Sequence, residues 1–203
     1  MKYGVRAFFY IIGLLMLTLG ISLIIRANIG AAPWDALAVG ESRLFHLSVG
    51  TCIFINGCVL IVINAILLRK KMELLAALSI FLIGMLVDFW LNEGLALFHP
   101  LLFSEKLTFL LIGVLLLGVG ISIYLQAHLP SSPMDTLMVA IHKRFGLNIR
   151  DARFVNEAIA VTLAIIFQGA VGIGTVIVAF TLGFVIHYAY PIMEKLYTSL
   201  SSK

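Results

Sequence analysis

The sequence predicts an all-α membrane protein. Six transmembrane helices form two inverted-topology repeats of three, and each repeat carries an extra short helix that starts at a proline. Three observations predict this fold: the composition, a duplication in register, and the placement of the basic residues. Of 203 residues, 62% are hydrophobic and 12% charged, with a mean hydropathy of +1.10. A soluble domain carries about 25% charged residues, and the apolar runs here approach or exceed the roughly 20 residues that cross hydrocarbon. The net charge of +4 and pI near 9.2 do not indicate nucleic acid. In a membrane protein, basic residues set orientation, so their position matters more than their sum.

The duplication spans most of the chain. Gly20-Ile21-Ser22, Ala27, Pro33, Asp35, Leu37, Val39, Phe45, Leu47, Phe54 and Asn56 recur one hundred residues later. Their counterparts are Gly120-Ile121-Ser122, Ala127, Pro133, Asp135, Leu137, Val139, Phe145, Leu147, Phe154 and Asn156. The register holds without a gap and reaches back to Ile12-Gly13 against Ile112-Gly113. One membrane domain, 1–203, thus contains repeats at 7–97 and 107–195.

Six apolar segments are the expected spans: Ala7–Ile25, Val49–Leu68, Leu74–Leu95, Leu107–Leu125, Phe154–Phe167 and Val171–Met193. The first follows Lys2 and Arg6 as a secretory signal would, but it is long for one and its repeat partner sits mid-chain, so it reads as a retained helix. Pro33–His46 and Pro133–Gly146 are too short and too charged to span. With the N-terminus cytoplasmic, that side collects Lys2, Arg6, Arg69, Lys70, Lys71, Lys143, Arg144, Arg150, Arg153, Lys195 and Lys203. The other side holds Arg26, Arg43 and Lys106, which is eleven against three and follows the positive-inside rule with both termini cytoplasmic. Three spans per repeat is an odd number, so the second repeat enters the bilayer from the opposite face. Many secondary transporters share that plan, with a site near the midplane where the repeats meet.

The repeated motif supplies the candidate residues. Pro33 and Pro133 suit the first position of a helix, where the missing N–H costs nothing. Ser132 reads as an N-cap with Asp135 reaching back, whereas Ala32 leaves Asp35 alone to serve the other first turn. Each short helix is either an amphipathic helix at the interface or a re-entrant half-helix lining a pathway. If its N-terminus faces a pathway, its partial positive charge suits an anion. Asp35 and Asp135 would tilt that site toward a cation, a proton or a zwitterion. Asn56 and Asn156 fall at matched places inside helices, as interhelical hydrogen-bond formers or as paired polar contacts at the repeat interface. Glu157 beside Asn156 faces water or pairs with Arg153. Asn64, with Ala164 opposite, reads as local packing.

An offset of ninety-nine brings Asp88 opposite His187, and an ionisable residue within a span is a functional candidate. Both sit toward helix ends, where snorkelling to the interface also explains them. Arg26, opposite Gln126, reads as an interfacial anchor or a substrate contact. Gly169, Gly172 and Gly174 form a tight connection, with neither the preceding strand nor the lysine of a phosphate loop. Cys52 and Cys58 lie six apart with only His46 near, so no metal site and no disulfide framework is expected. No catalytic constellation stands out, and neither an enzyme nor a cofactor is expected.

The pattern (L/I)-x-x-x-A-x-(I/L)-(G/P)-(A/S)-(A/S)-P-(W/M)-D-(A/T)-L occurs in both halves. It resembles the bacterial YczE/YyaS/YitT-type integral membrane proteins, as does Gly172-Ile173-Gly174-Thr175. The resemblance implies a multi-pass protein of the bacterial plasma membrane. The acidic residue such a family carries at the end of the last helix is His187 here, while Asp88 keeps it in the first half. The expected function is a transporter or permease for a small solute. Two alternatives are a non-transporting membrane partner or regulator and the substrate-binding subunit of a vitamin-type uptake system. Beyond the lipid bilayer and that solute, a homodimer or a protein partner is expected, and no nucleic acid.

Overall fold

A computed structural model describes residues 2–127 and 132–201. Among them are eight α-helices and one π-helical turn. They are α1 (Lys2–Ala27), α2 (Pro33–Phe45), α3 (Val49–Leu68), α4 (Leu74–Phe89), the π-turn (Trp90–Gly94), α5 (Phe103–Leu125), α6 (Pro133–Phe145), α7 (Ile149–Ile166) and α8 (Ile173–Ser201). The helices follow the apolar runs closely, because an apolar run in lipid must satisfy its backbone within itself. Residues 128–131, which hold part of the second copy of the repeated pattern, and Lys203 of the basic tally lie outside the described residues.

Five helices are long and apolar enough to cross a membrane: α1, α3, α4 with its π-turn, α5 and α8. The expected span at Phe154–Phe167 is not among them. Its helix, α7, begins five residues earlier and takes Arg150, Asp151, Arg153 and Glu157 into its first half. The polar start comes from a local cap. Asn148 accepts from the Asp151 amide at 2.8 Å and donates its own amide to the Asp151 carboxylate at 2.7 Å. Large side chains such as Phe81, Phe180, Phe184 and Ile66 stand exposed on the spanning helices, as lipid-facing surfaces require.

The chain forms two compact units. One gathers α1, the π-turn, α5 and α8; the other gathers α2, α3, α4, α6 and α7. In the first unit, α1 and α5 meet backbone to backbone. Gly13 faces Tyr124, Leu17 faces Gly120, Gly20 faces Leu117, and Ile24 faces Gly113. Numbers rise on one helix as they fall on the other, so the pair is antiparallel. Repeat-equivalent glycines play reciprocal parts: Gly20 lies on Gly113 and Leu117, and Gly120 lies on Gly13 and Leu17. Ser22 and Ser122 match too, each returning its hydroxyl to the carbonyl four residues back, at 2.9 and 2.8 Å. The Trp90 indole donates to buried Thr18 at 3.2 Å and ties the π-turn to α1.

Small residues also dominate the joint between the first and last helices of this unit. Gly30 has φ +125°, a backbone only glycine adopts freely. The amide of Gly174 donates to the Ile29 carbonyl at 2.8 Å, and that of Gly172 to the Thr175 hydroxyl at 3.1 Å. The family-like Gly-Ile-Gly-Thr sequence therefore builds the entry to α8.

In the second unit the packing is crosswise: α2 rests on α7 and α3, and α6 rests on α3 and α7. Ala36 to Gly40 are buried in succession, more than one helical turn, so this part of α2 has no open face. Both short helices end alike. His46 and Gly146 adopt left-handed φ of 55° and 69°. The Ser42 hydroxyl donates to the Leu47 carbonyl at 2.7 Å, and the His142 ring bonds the Leu147 carbonyl at 2.5 Å. After α7 the chain turns against α2, where the Ala170 amide donates to the Ala36 carbonyl at 3.3 Å. A Cβ on Gly169 would lie 2.9 Å from the Ala36 carbonyl carbon, with its oxygen nearer still. Gly169→Ala is therefore expected to destabilise the fold by about 2 kcal/mol, the range of an overpacked core. A lowered melting temperature in detergent checks this, and an unchanged one would show that α2 yields freely.

Candidate functional site

Within the second unit, α2, α3, α6 and α7 line a half-open cavity of about 900 Å³, with Ile55, Val59 and Phe145 exposed along its mouth. Small-molecule sites run to roughly 300–1,000 Å³ and combine apolar walls with a few polar groups. The walls come from Leu37, Val59, Ile63, Leu137, Ile141 and Leu163, with the rings of Trp34, Phe145 and Phe167. Two side chains break the apolar lining. Glu41 on α2 accepts from the Asn56 amide of α3 at 2.6 Å. Glu41 was not legible from the repeat, because its counterpart is Ile141. The signal that could have found it is spacing: Trp34, Leu37, Ala38, Glu41 and Phe45 share one helical face, which places the acid among apolar neighbours.

A second polar group lies where α2 and α6 begin against α7. Ser132 caps α6 by accepting from the Met134 amide at 3.3 Å, using the second helical amide and not that of Asp135. The carbonyls of that first turn accept from neighbouring helices. Asn64 on α3 donates to Pro133 at 2.8 Å, and Asn156 on α7 donates to Met134 at 3.4 Å. Asn64 thus makes a cross-helix bond where local packing was expected. Asn56 and Asn156 each bond a neighbouring helix of their own repeat. Glu157 lies within electrostatic range of Asp35, Asp135 and Arg153. The Trp34 indole N–H, an Asn156 oxygen and a Glu157 oxygen are buried without a hydrogen-bond partner. Pro33 and Pro133 start α2 and α6, and both are buried.

The remaining candidates sit elsewhere. Asp88 caps α3: its carboxylate accepts from the Gly50 amide at 2.7 Å and from the Ser48 hydroxyl at 2.5 Å, while Ser48 accepts from the Thr51 amide at 3.1 Å. His187 is exposed on α8, with its ring edge-on to Tyr188 at 5.3 Å. α7 takes its cap locally, from the Asn148 side-chain oxygen that accepts the Asp151 amide, and not from a carboxylate on another helix. Arg26 donates to the Leu91 carbonyl at the π-turn, and its Nε is buried without a partner. It borders a separate, more polar hollow of about 420 Å³ with Asn28, Asn92 and His99. Among the described residues no group of His, Cys, Asp and Glu is arranged to hold a metal ion.

Comparison with known proteins adds kinship but no chemistry. The model of a family of unknown function (DUF6198) matches residues 4–191. The uncharacterized protein YyaS of Bacillus subtilis (strain 168) is 38% identical over 199 residues, covering 98% of this chain and 97% of its own. The uncharacterized membrane protein YczE of the same organism is 30% identical over 184 residues, covering 90% and 84%. An uncharacterized protein of Haemophilus influenzae is 32% identical over 183 residues, covering 89% and 81%. No solved structure matches the chain.

Proposed function

The chain belongs to the DUF6198 family of unknown function, and we propose that it is a permease that moves a small solute through the unit built from α2, α3, α6 and α7. The observation that carries this reading is the cavity of about 900 Å³ with an acid–amide pair in its apolar wall. The antiparallel α1/α5 pair supports inverted-topology repeats. Helices related by the duplication then cross the bilayer in opposite senses, as in secondary transporters. In this reading α7 is the sixth span, and its charged first turns lie at the cytoplasmic end beside Arg150 and Arg153. Both termini are cytoplasmic in the inner membrane, following the basic residues. The burial of α2 favours re-entrant half-helices over interfacial ones. Asp35, Asp135, Asn156 and Glu157 form the polar end of the pathway, beside Trp34 of the cavity wall. No catalytic step is assigned to these residues.

The test joins binding to movement. Purified protein is screened by thermal shift against amines, amino acids, vitamins, organic anions and metal ions, and each hit is repeated with Asp35→Asn/Asp135→Asn. A ligand at a hundred times its Kd stabilises the fold by about 2.7 kcal/mol, and the double variant is expected to lose that shift. The labelled hit is then expected to equilibrate into proteoliposomes and not into protein-free liposomes. Binding without such movement would overturn the permease reading and leave a binding subunit.

A further inference from the structure

We propose that the cavity takes an amphipathic organic cation, an amine or quaternary ammonium on an apolar body, with Glu41 as the counter-charge. The inference rests on the reading of this cavity as the solute site. Glu41 is the one ionisable side chain among its described lining residues. A carboxylate in apolar walls is costly without a partner charge, and among those residues no Lys or Arg provides one.

The hydrogen bonding fixes the sign of the ligand. Asn56 gives its N–H to one oxygen of Glu41. The other carboxylate oxygen and the Asn56 carbonyl therefore remain as acceptors, which suit a charged donor and repel an anion. Trp34, Phe145 and Phe167 line the same space, and aromatic faces attract ammonium groups. The aliphatic walls then receive the apolar body. The asymmetry of the repeat fits this assignment: Ile141, the counterpart of Glu41, is also in the wall, so of the two repeat-equivalent positions only one carries a charge.

Three probes of one shape test it: 4-phenylbutylamine, 4-phenylbutanol and 4-phenylbutanoate, as cation, neutral and anion. By equilibrium dialysis with the purified full chain, the amine is expected to bind about tenfold tighter than the alcohol, and the butanoate weakest; tenfold corresponds to about 1.4 kcal/mol. Glu41→Gln is expected to reduce the amine to the level of the alcohol. Glu41→Asp keeps the preference. Equal binding of all three probes, a preference for the butanoate, or an amine preference that survives Glu41→Gln would overturn the proposal, as would no binding of any probe. If Glu41→Gln does not yield a monodisperse protein, the probe series on the unaltered chain still decides the ligand's charge. Uptake into proteoliposomes separates the two proposals. Glu41-dependent amine binding without uptake sinks the permease reading alone. Uptake of a neutral or anionic hit, with no amine preference, sinks the cation assignment alone.

Discussion

Replacing Gly20 with valine is expected to destabilise the protein by about 3 kcal/mol or more, the upper range for overpacking, and to remove most of the monodisperse peak on size exclusion. A Cβ at position 20 would lie 2.5 Å from the Leu117 nitrogen and 2.7 Å from the Gly113 oxygen. Both neighbours are backbone atoms of α5, so no rotamer change relieves the contact. The helices must separate, and the reciprocal contacts at Gly13, Gly113 and Gly120 loosen together. At Gly4, on the same helix, a Cβ would meet nothing within 4 Å, so Gly4→Val is the control and is expected to change little. Equal melting temperatures for the two variants, measured in the same detergent, would show that α1 and α5 do not need their close approach.

Asp88→Ala carries the second large effect. The carboxylate serves the amide of Gly50 and the hydroxyl of Ser48 at the start of α3, and hydrogen bonds to a charged group each contribute about 1.5–3 kcal/mol. Their joint loss is expected to lower stability by about 3 kcal/mol or more, with Asp88→Asn recovering part because an amide oxygen still accepts. His187→Ala, at the position the ninety-nine-residue offset pairs with Asp88, is expected to stay within about 0.5 kcal/mol, as for exposed sites generally. Thermal unfolding of the three variants checks the contrast. If Asp88→Ala instead melts like the parent yet fails to move the solute, Asp88 acts in the pathway and α3 is capped well enough by Ser48.

Much of the fold was legible because the bilayer permits so few structures. Apolar length gave Val49–Leu68 to the residue, and the prolines gave the starts of α2 and α6, since proline fits a helix only where its amide is not needed. The extent of α7 was less legible. Its capping pair, Asn148 with Asp151, extends the helix back through charged residues that an apolar count discards. Candidate residues were legible only where the halves agree. Asp35, Asp135, Asn56 and Asn156 stand out by repetition, whereas Glu41 has no twin and gains meaning only from Asn56, which α3 places beside it. Asp88 was a candidate as a lone acid in a span; its bonds to Gly50 and Ser48, about forty residues away in sequence, are revealed by no local pattern.

The seam between α1 and α5 has a thermodynamic consequence. Little of its cohesion can come from expelling water, because lipid is as apolar as the side chains it would replace. What holds it is dispersion between closely packed backbones, with weak bonds from Cα hydrogens to carbonyl oxygens across the seam. Such cohesion is enthalpic and carries little of the large heat-capacity change that burial of apolar surface from water produces. The curvature of stability with temperature must then come from the parts of the chain that meet water, while the seam itself weakens steadily on heating and shows no optimum of its own.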